Sequence, residues 1–118
     1  LINNSNADID KKINWKQINL LNNNALFTLG GHSHLHMPLT YFSEKISKYQ
    51  ISKSINLFKK NANIALRHYS YPEGQKKDLK KKIKSILKEF GIICCPSAIN
   101  GFNNSKTNLF DLKRIQVI

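Results

Sequence analysis

Three of the chain's four histidines lie within five residues of one another, as His32, His34 and His36. His32 and His36 are four residues apart, so both imidazoles point to one side if the segment turns helically, and one divalent ion can then bridge them. His34 would point elsewhere. A zinc ion held by two imidazoles needs at least one more protein ligand, usually a carboxylate, and keeps a position open for water if it is catalytic. The spacing therefore predicts part of a metal site.

Two other interpretations of the histidines stay open at this point. The cluster could be a chance grouping of surface side chains, or one or two members could be hydrogen-bonded core groups. Its position between two glycines and a proline, directly after an apolar run, favours the metal-site interpretation. His68 lies inside a predicted strand and is assigned a structural role instead.

The elements that would position the histidines alternate along the chain. A helix beginning near Asn14 and a short buried strand over residues 25–29 precede the cluster, and Gly30 and Gly31 stop the strand. A second helix, opened by Ser43, follows the cluster and carries an apolar stripe with lysines on the opposite side. The cluster is therefore expected at the end of a strand.

The second half of the chain repeats this alternation. A strand over residues 64–71 ends at a Pro-Glu-Gly turn, and the clearest helix of the sequence follows, with Gly91 as its C-cap. Seven lysines surround the apolar stripe of that helix and are interpreted as a solvated face. Further strands are predicted over residues 92–95 and 112–118. The apolar stripes of the two helices consist of Ile51, Ile55 and Phe58, and of Leu79, Ile83, Ile86, Leu87 and Phe90.

This order of elements predicts an α/β fold in which crossover helices join parallel strands. In such sheets and barrels, ligands bind at the C-terminal ends of the strands. His32 follows the end of one predicted strand, and residues 71–74 follow the end of the next. Two loops are therefore expected to converge on one face of the molecule.

Length and composition limit the protein classes. A chain of 118 residues is at most one domain and is about half as long as an α/β barrel enzyme usually is. Because the chain opens on Leu1 and stops within an apolar run, both ends are interpreted as cuts, and residues 1–118 as a single partial domain. The net charge of +12 is almost all lysine, without the arginine and aromatic interleaving of nucleic-acid readers, so no nucleic-acid partner is predicted.

The cysteines and the hydropathy add two expectations. The adjacent Cys94 and Cys95 have neither disulfide-framework nor zinc-finger spacing, and they are predicted to be small apolar residues of a buried strand. No segment is long and apolar enough to span a membrane, and no signal peptide is visible. With the N-terminus interpreted as a cut, these observations leave the compartment open.

Five segments of the chain form a recognisable series. They are Trp-Lys-Gln-Ile at 15–18, Leu-Gly-Gly-His-Ser-His-Leu-His-Met-Pro-Leu-Thr at 29–40, Tyr-Ser-Tyr-Pro-Glu-Gly at 69–74, Lys-Glu-Phe-Gly-Ile at 88–92 and Phe-Asp-Leu-Lys-Arg-Ile at 110–115. Together they resemble the NodB-homology polysaccharide deacetylases of carbohydrate esterase family 4, and His-Ser-x-x-His is the most specific of the matches. The resemblance implies a portion of a (β/α) barrel of the NodB-homology or glycoside hydrolase/deacetylase type.

The resemblance assigns roles to individual residues. In the family, the His-Ser/Thr-x-x-His motif supplies two ligands of a divalent metal, most often zinc, and these positions are His32 and His36 here. Ser33 matches the hydroxyl residue that helps to hold this loop. Tyr71 and Pro72 match a loop that lines the substrate groove, so these two residues and Ser33 are the predicted substrate-binding residues.

This sequence also departs from the family pattern. Ser70 stands where many members have an arginine that pairs with the catalytic carboxylate, and Glu73 stands where an aromatic residue is usual. The Asp-Asp motif that gives the catalytic base and the third metal ligand does not occur, nor does the late Leu-x-His motif that gives a general acid. The base is therefore expected upstream of Leu1, and no catalytic residue is assigned within the chain.

The resemblance implies a metal-dependent hydrolase that removes N-acetyl groups from an amino-sugar polymer or glycoconjugate. Its partner would be an N-acetylated glycan whose sugar the sequence does not identify, and a cell-envelope or secreted location fits, with the cytoplasm left open. Two alternatives remain. The His-x-His series is also similar to the amidohydrolase and PHP metal hydrolases, and a chain without base or acid could be a non-catalytic remnant that binds glycan.

Overall fold

The chain folds as helices that alternate with short parallel strands, as expected. A computed structural model describes residues 11–115 and 117. Its regular elements are helix α1 (Trp15–Asn22), strand β1 (Gly30–Gly31), helix α2 (Glu44–Ala62), strand β2 (His68–Tyr69) and helix α3 (Lys81–Glu89), with 3-10 turns at Leu39–Tyr41 and Lys76–Asp78.

The strands pair in parallel. Gly30 lies opposite His68 and Gly31 opposite Tyr69, and a further parallel bridge joins His68 to Cys94. Helix α2 connects β1 to β2, and α3 connects β2 to the segment around Cys94, as parallel neighbours require. The described residues therefore form part of an α/β fold, with a two-stranded sheet and isolated bridges but no closed barrel.

The prediction of a buried strand over residues 25–29 was wrong. Leu26 is 88% exposed and Phe27 52% exposed. The reason is local, because the side chain of Asn24 accepts a hydrogen bond from the Leu26 N–H and its carbonyl accepts one from the Phe27 N–H, which closes a turn. The strand forms instead on Gly30 and Gly31, the two residues that were expected to stop it.

The remaining strands are shorter than predicted. Of residues 64–71 only β2 is a strand, although Ile64, Leu66, Tyr69 and Tyr71 are buried. Residues 92–95 form one β-bridge, at Cys94. The described part of residues 112–118 also forms one β-bridge, between Arg114 and Asn100. Residues 116 and 118 lie outside the described part of the chain. In the chain between these two segments, side chains bond to backbone groups that could otherwise pair with a strand. Asn108 Oδ1, for example, accepts a hydrogen bond from the Phe110 N–H.

The helices match their sequence signals closely. Asn14 caps α1 in a capping box with Gln17, and the side chain of Ser43 caps α2, as short polar side chains do. Helix α3 begins later than expected, after Leu79, and its C-cap is Phe90. Gly91 directly follows with a φ of 78°, the left-handed conformation in which glycine ends a helix at no steric cost.

The core lies between the sheet and helices α2 and α3. Ile51 of α2 and Ile83 and Leu87 of α3 are fully buried, which confirms the two apolar stripes. Cys95 is also fully buried, and burial raises the pKa of its thiol to about 12, so it is an apolar core residue as predicted. Among the described residues, the buried apolar cluster consists of Leu39, Ile51, Ile64, Leu66, Tyr69, Tyr71, Ile83, Ile86, Leu87, Ile92, Cys95 and Phe110.

The lysine face of α3 is only partly solvated. Lys80 and Lys81 are exposed, but the side chain of Lys84 is 19% exposed and pairs with the carboxylate of Asp111. Lys84 therefore ties α3 to the chain segment that follows it, and the interpretation of all seven lysines as solvated was too broad. No helix of residues 11–115 is long and apolar enough to cross a membrane.

Gly31 packs closely against the ring of Tyr69 in the neighbouring strand. A Cβ atom built on it would lie 2.3 Å from Tyr69 Cε2, whereas a Cβ atom on Gly30 would lie 3.2 Å from the nearest atom, the His68 carbonyl oxygen. We therefore expect Gly31→Ala to lower the free energy of unfolding by about 2 kcal/mol, because the Tyr69 ring must move within a packed core. Urea unfolding monitored by circular dichroism measures this change.

The neighbouring glycine is the matched control. Gly30→Ala should cost less than about 1 kcal/mol, since a shift of a few tenths of an ångström relieves its contact. Equal losses for the two variants would show that the Gly31 contact does not constrain the fold.

Candidate metal centre

The structure brings His32 and His36 together at the end of β1. Their ring centroids are 4.8 Å apart and the ring planes are tilted by 51°. The segment between them is not a helical turn. Ser33 and His36 both have left-handed backbones, with φ values of 63° and 56°, and these two reversals bring the rings together. His34 is exposed and lies between them in sequence.

Ser70 fixes the orientation of His32. The Nδ1 atom lies 3.0 Å from the Ser70 carbonyl oxygen and 2.8 Å from its Oγ. A carbonyl oxygen can only accept, so Nδ1 carries the proton in this bond. In a neutral imidazole that leaves Nε2 with a free lone pair, the form that ligates a metal ion.

The electrostatic surroundings favour the neutral form of His32. Burial lowers the pKa of its imidazole below the ordinary value of 6.5, and the charges of His36 and Arg114 act in the same direction, against the hydrogen bond to Ser70. Because only the uncharged ring can donate a lone pair, the lowered pKa keeps His32 ready to bind a cation over a wider pH range.

A chain of hydrogen bonds beneath the loop holds Ser33. The Ser33 N–H donates to Tyr69 Oη at 2.7 Å, Tyr69 Oη lies 2.9 Å from Ser54 Oγ, and Ser54 donates to the Ile51 carbonyl. Burial raises the pKa of Tyr69 to about 12, so the phenol stays protonated. The Ser33 hydroxyl is buried and has no hydrogen-bond partner within the described chain, so it is the backbone of Ser33 that anchors the loop.

Helix α2 supports the rest of the loop through polar side chains on its buried face. Gln50 Oε1 accepts from the Leu35 N–H at 3.0 Å, and Ser47 Oγ donates to the Leu39 carbonyl at 2.8 Å. No role was predicted from the sequence for Gln50, Ser47 or Ser54. A signal was present, because they recur at helical spacing on the same face as Ile51, where a helix of a soluble domain is usually apolar.

The second loop packs directly beside the first. Tyr71 is 2% exposed and its hydroxyl donates to the Phe110 carbonyl, and Pro72 is fully buried. Both residues are buried in the described chain, and their part in substrate binding stays a prediction, as does that of Ser33. The loop is pinned at Gly74, where a Cβ atom would lie 2.8 Å from the Ala98 nitrogen and φ is +66°.

The imidazoles of His32 and His36 supply part of a ligand set for zinc. Among residues 11–115 and 117, no group of three or more His, Cys, Asp or Glu side chains lies close enough together to hold a metal ion. His68, on β2, is half-buried and does not form a three-ligand group with His32 and His36. The residues present therefore fit two of the three protein ligands that a catalytic zinc site uses.

The lowered pKa of His32 has a consequence for stability. Below about pH 6.5 the unfolded chain binds a proton at this position that the folded chain resists, so the free energy of unfolding should fall as the pH is lowered through 6.5. Urea unfolding of the metal-free protein between about pH 7.5 and 5.5 tests this. His32→Gln should flatten the curve, and an unchanged curve would contradict the assignment.

The hydroxyl of Tyr69 should contribute to stability in addition to the packing of its ring. Tyr69→Phe keeps the ring that packs on Gly31 but leaves the Ser33 N–H and Ser54 Oγ without this partner. We expect a loss of about 1–3 kcal/mol in the free energy of unfolding, since both groups are shielded from water. Tyr41→Phe, which removes an exposed hydrogen bond to Lys77, should cost less than about 0.5 kcal/mol. Similar losses in the free energy of unfolding for the two variants would show that the hydrogen bonds of the Tyr69 hydroxyl do not stabilise the loop.

The sequence matches no protein-family model and no curated protein, but the fold is similar to parts of solved structures. The deacetylase PplD of Streptococcus pyogenes, solved in complex with acetate, superposes with a TM-score of 0.80 at 16% identity, over 92% of this chain and 46% of that chain. The deacetylase domain of BpsB from Bordetella bronchiseptica gives a TM-score of 0.76 at 15% identity, over 87% of this chain and 48% of that one.

A third solved structure is also similar in fold. IcaB from Ammonifex degensii superposes with a TM-score of 0.65 at 17% identity, over 88% of this chain and 47% of that chain. The chain thus spans about half the length of each of these structures. The resemblance to NodB-type polysaccharide deacetylases is confirmed in the fold.

Proposed function

We propose that the complete protein is a metal-dependent hydrolase that removes N-acetyl groups from an amino-sugar polymer or glycoconjugate. The observation that carries the proposal is the pair of imidazoles at the end of β1, with rings 4.8 Å apart and the lone pair of His32 Nε2 left free by the bond to Ser70. The similarity of the fold to the deacetylases PplD and BpsB supports it.

The metal would be held by His32 through Nε2, by His36, and by a carboxylate from outside residues 11–115. Zinc suits a site of two imidazoles and one carboxylate. When bound there, a divalent ion would polarise the acetamide carbonyl and lower the pKa of a water molecule, so that hydroxide forms near neutral pH. The catalytic base would likewise come from outside residues 11–115.

The described residues would contribute by positioning. Ser70 holds the ring of His32 in one tautomer through Nδ1, and its carbonyl makes the ring a better electron donor. Tyr69 holds the backbone of the loop at Ser33, and Gln50 holds it at Leu35. A loop fixed at three points keeps its ligand set preorganised, which reduces the cost of ordering the site when metal and substrate bind.

The products would be acetate and a free amino sugar. The structure of PplD contains acetate, and an acetate site in this protein would suit the same reaction. The glycan substrate makes the cell envelope or the extracellular space the proposed location. The solved structures favour this function over the amidohydrolase and PHP alternative. A glycan-binding remnant without activity is the second candidate, and metal binding combined with acetate release separates the two.

Substitution of each histidine in the complete protein tests the ligand assignment. His32→Ala and His36→Ala should each lower zinc affinity and acetate release by more than about 100-fold, because each removes a direct ligand. His34→Ala is the matched control, since His34 is exposed and lies between the two in sequence, and it should retain metal and activity. Metal content after dialysis, measured by atomic emission, and acetate release from an N-acetylglucosamine pentamer are the two readouts.

Equal loss in all three variants would overturn the assignment of His32 and His36. Zinc binding by the wild-type protein without any acetate release would favour the non-catalytic glycan-binding remnant instead.

A further inference from the structure

An exposed aromatic side chain closes the segment that follows the histidine loop. Tyr41 ends the 3-10 turn that follows the histidine loop, and its side chain is 61% exposed. Its hydroxyl accepts a hydrogen bond from Lys77 Nζ at 3.1 Å, and the same ammonium lies 5.4 Å from the ring centroid. Lys77 Nζ also lies 3.3 Å from Glu73 Oε2. Tyr41 is thus an exposed ring held in place by a neighbouring ion pair.

Asp78 joins the two loops that carry these residues. Its carboxylate is 2% exposed, accepts from the Thr40 hydroxyl at 3.0 Å through Oδ1, and accepts from the Gln75 N–H at 3.0 Å through Oδ2. A buried carboxylate is costly unless such bonds satisfy it. The turn that carries Tyr41 and the loop that carries Glu73 are therefore fixed against each other.

Tyr41, Glu73 and Lys77 form a rim that lies at the same end of the sheet as the histidine pair. The histidine loop leaves the C-terminal end of β1, and residues 70–78 leave the C-terminal end of β2. In parallel sheets these ends lie together and bind ligands. Tyr41 and Glu73 therefore lie on chain segments at the same end of the sheet as His32 and His36, a few residues beyond each strand.

The backbone at Glu73 is strained. Its φ is 61°, a conformation that costs an L-residue other than glycine about 1 kcal/mol or more. Pro72 before it is buried and Gly74 after it is pinned against Ala98, so the loop enforces the strain. Strained residues of this kind concentrate at ligand sites, where the surrounding structure holds them. The result is an exposed carboxylate at the rim.

The chemistry of the rim suits a sugar ring without net charge. A flat exposed phenol can stack on the C–H face of a pyranose, and the few polar groups of a binding site fix the orientation of its ligand. Glu73 can accept hydrogen bonds from hydroxyl groups and Lys77 can donate to ring or hydroxyl oxygens. Because the two charges compensate each other at 3.3 Å, the rim presents hydrogen-bonding groups without a strong net field.

We propose that Tyr41, Glu73 and Lys77 form a subsite for an uncharged pyranose unit of the glycan, next to the unit whose acetamide lies at His32 and His36. The inference rests on the proposed function, because it assumes that the same face holds the reacting sugar. Such a subsite would make the protein act on oligomers in preference to single sugars.

Kinetics with substrates of different length test the subsite. In the complete protein, Tyr41→Ala should raise KM for an N-acetylglucosamine pentamer about tenfold with little change in kcat, because the interaction is lost equally in ground and transition states. Its kcat/KM for the N-acetylglucosamine monomer should stay within about twofold of wild type. Tyr41→Phe keeps the ring and should leave KM within about threefold, whereas Glu73→Gln should raise it by about three- to tenfold.

Tyr49→Ala is the matched control, because Tyr49 is an exposed tyrosine on α2 rather than on either strand-end loop, and it should leave all constants unchanged. Calorimetric titration of the pentamer into wild type and Tyr41→Ala provides a readout without turnover, with an expected tenfold loss of affinity. Turnover with an unchanged KM in Tyr41→Ala, or equal binding by both proteins, would overturn the subsite. Binding that depends on Tyr41 with no acetate release would instead overturn the proposed deacetylation and leave the subsite standing.

Discussion

The close contact between Gly31 and the ring of Tyr69 is the constraint on which the candidate site depends. Because Gly31 has no side chain, the tyrosine ring lies against the backbone of β1, and its hydroxyl reaches the Ser33 N–H two residues further on. Any larger residue would displace the ring from its packed position. One missing Cβ atom thus links the pairing of two strands to the path of the histidine loop.

The loop that results has its polar groups satisfied mainly from helix α2 and strand β2. Gln50 and Ser47 reach the loop from α2, and Ser70 reaches His32 from the end of β2. These bonds allow two left-handed residues, Ser33 and His36, to persist in the same short segment, although each costs free energy. Stability provided by the core is therefore used to hold two imidazoles in an arrangement that the local sequence would not adopt alone.

The second strand-end loop is also held by specific contacts, at Asp78 and Gly74. Asp78 is buried only because Thr40 and the Gln75 backbone satisfy its oxygens, and Gly74 packs where a side chain would meet Ala98. Both contacts fix the loop relative to its neighbours. Exposed groups at the rim, Tyr41 above all, are thereby held on a rigid support, which a recognition surface requires if it is to discriminate between ligands.

The sequence by itself determined the helices, the cap at Ser43 and the parallel order of the strands, and it placed His32 and His36 in one short segment after a strand. The helices follow from local rules, namely the 3.6-residue period of an apolar stripe and the hydrogen bonds of short polar caps such as Ser43. Only the tertiary structure decided that Gly31 lies inside a strand, that Ser70 and Tyr69 support the histidines and that Lys84 pairs with Asp111. Each of these depends on groups between 27 and 38 residues apart, and no local pattern specifies which distant backbone or side chain will satisfy a given polar group once water is excluded.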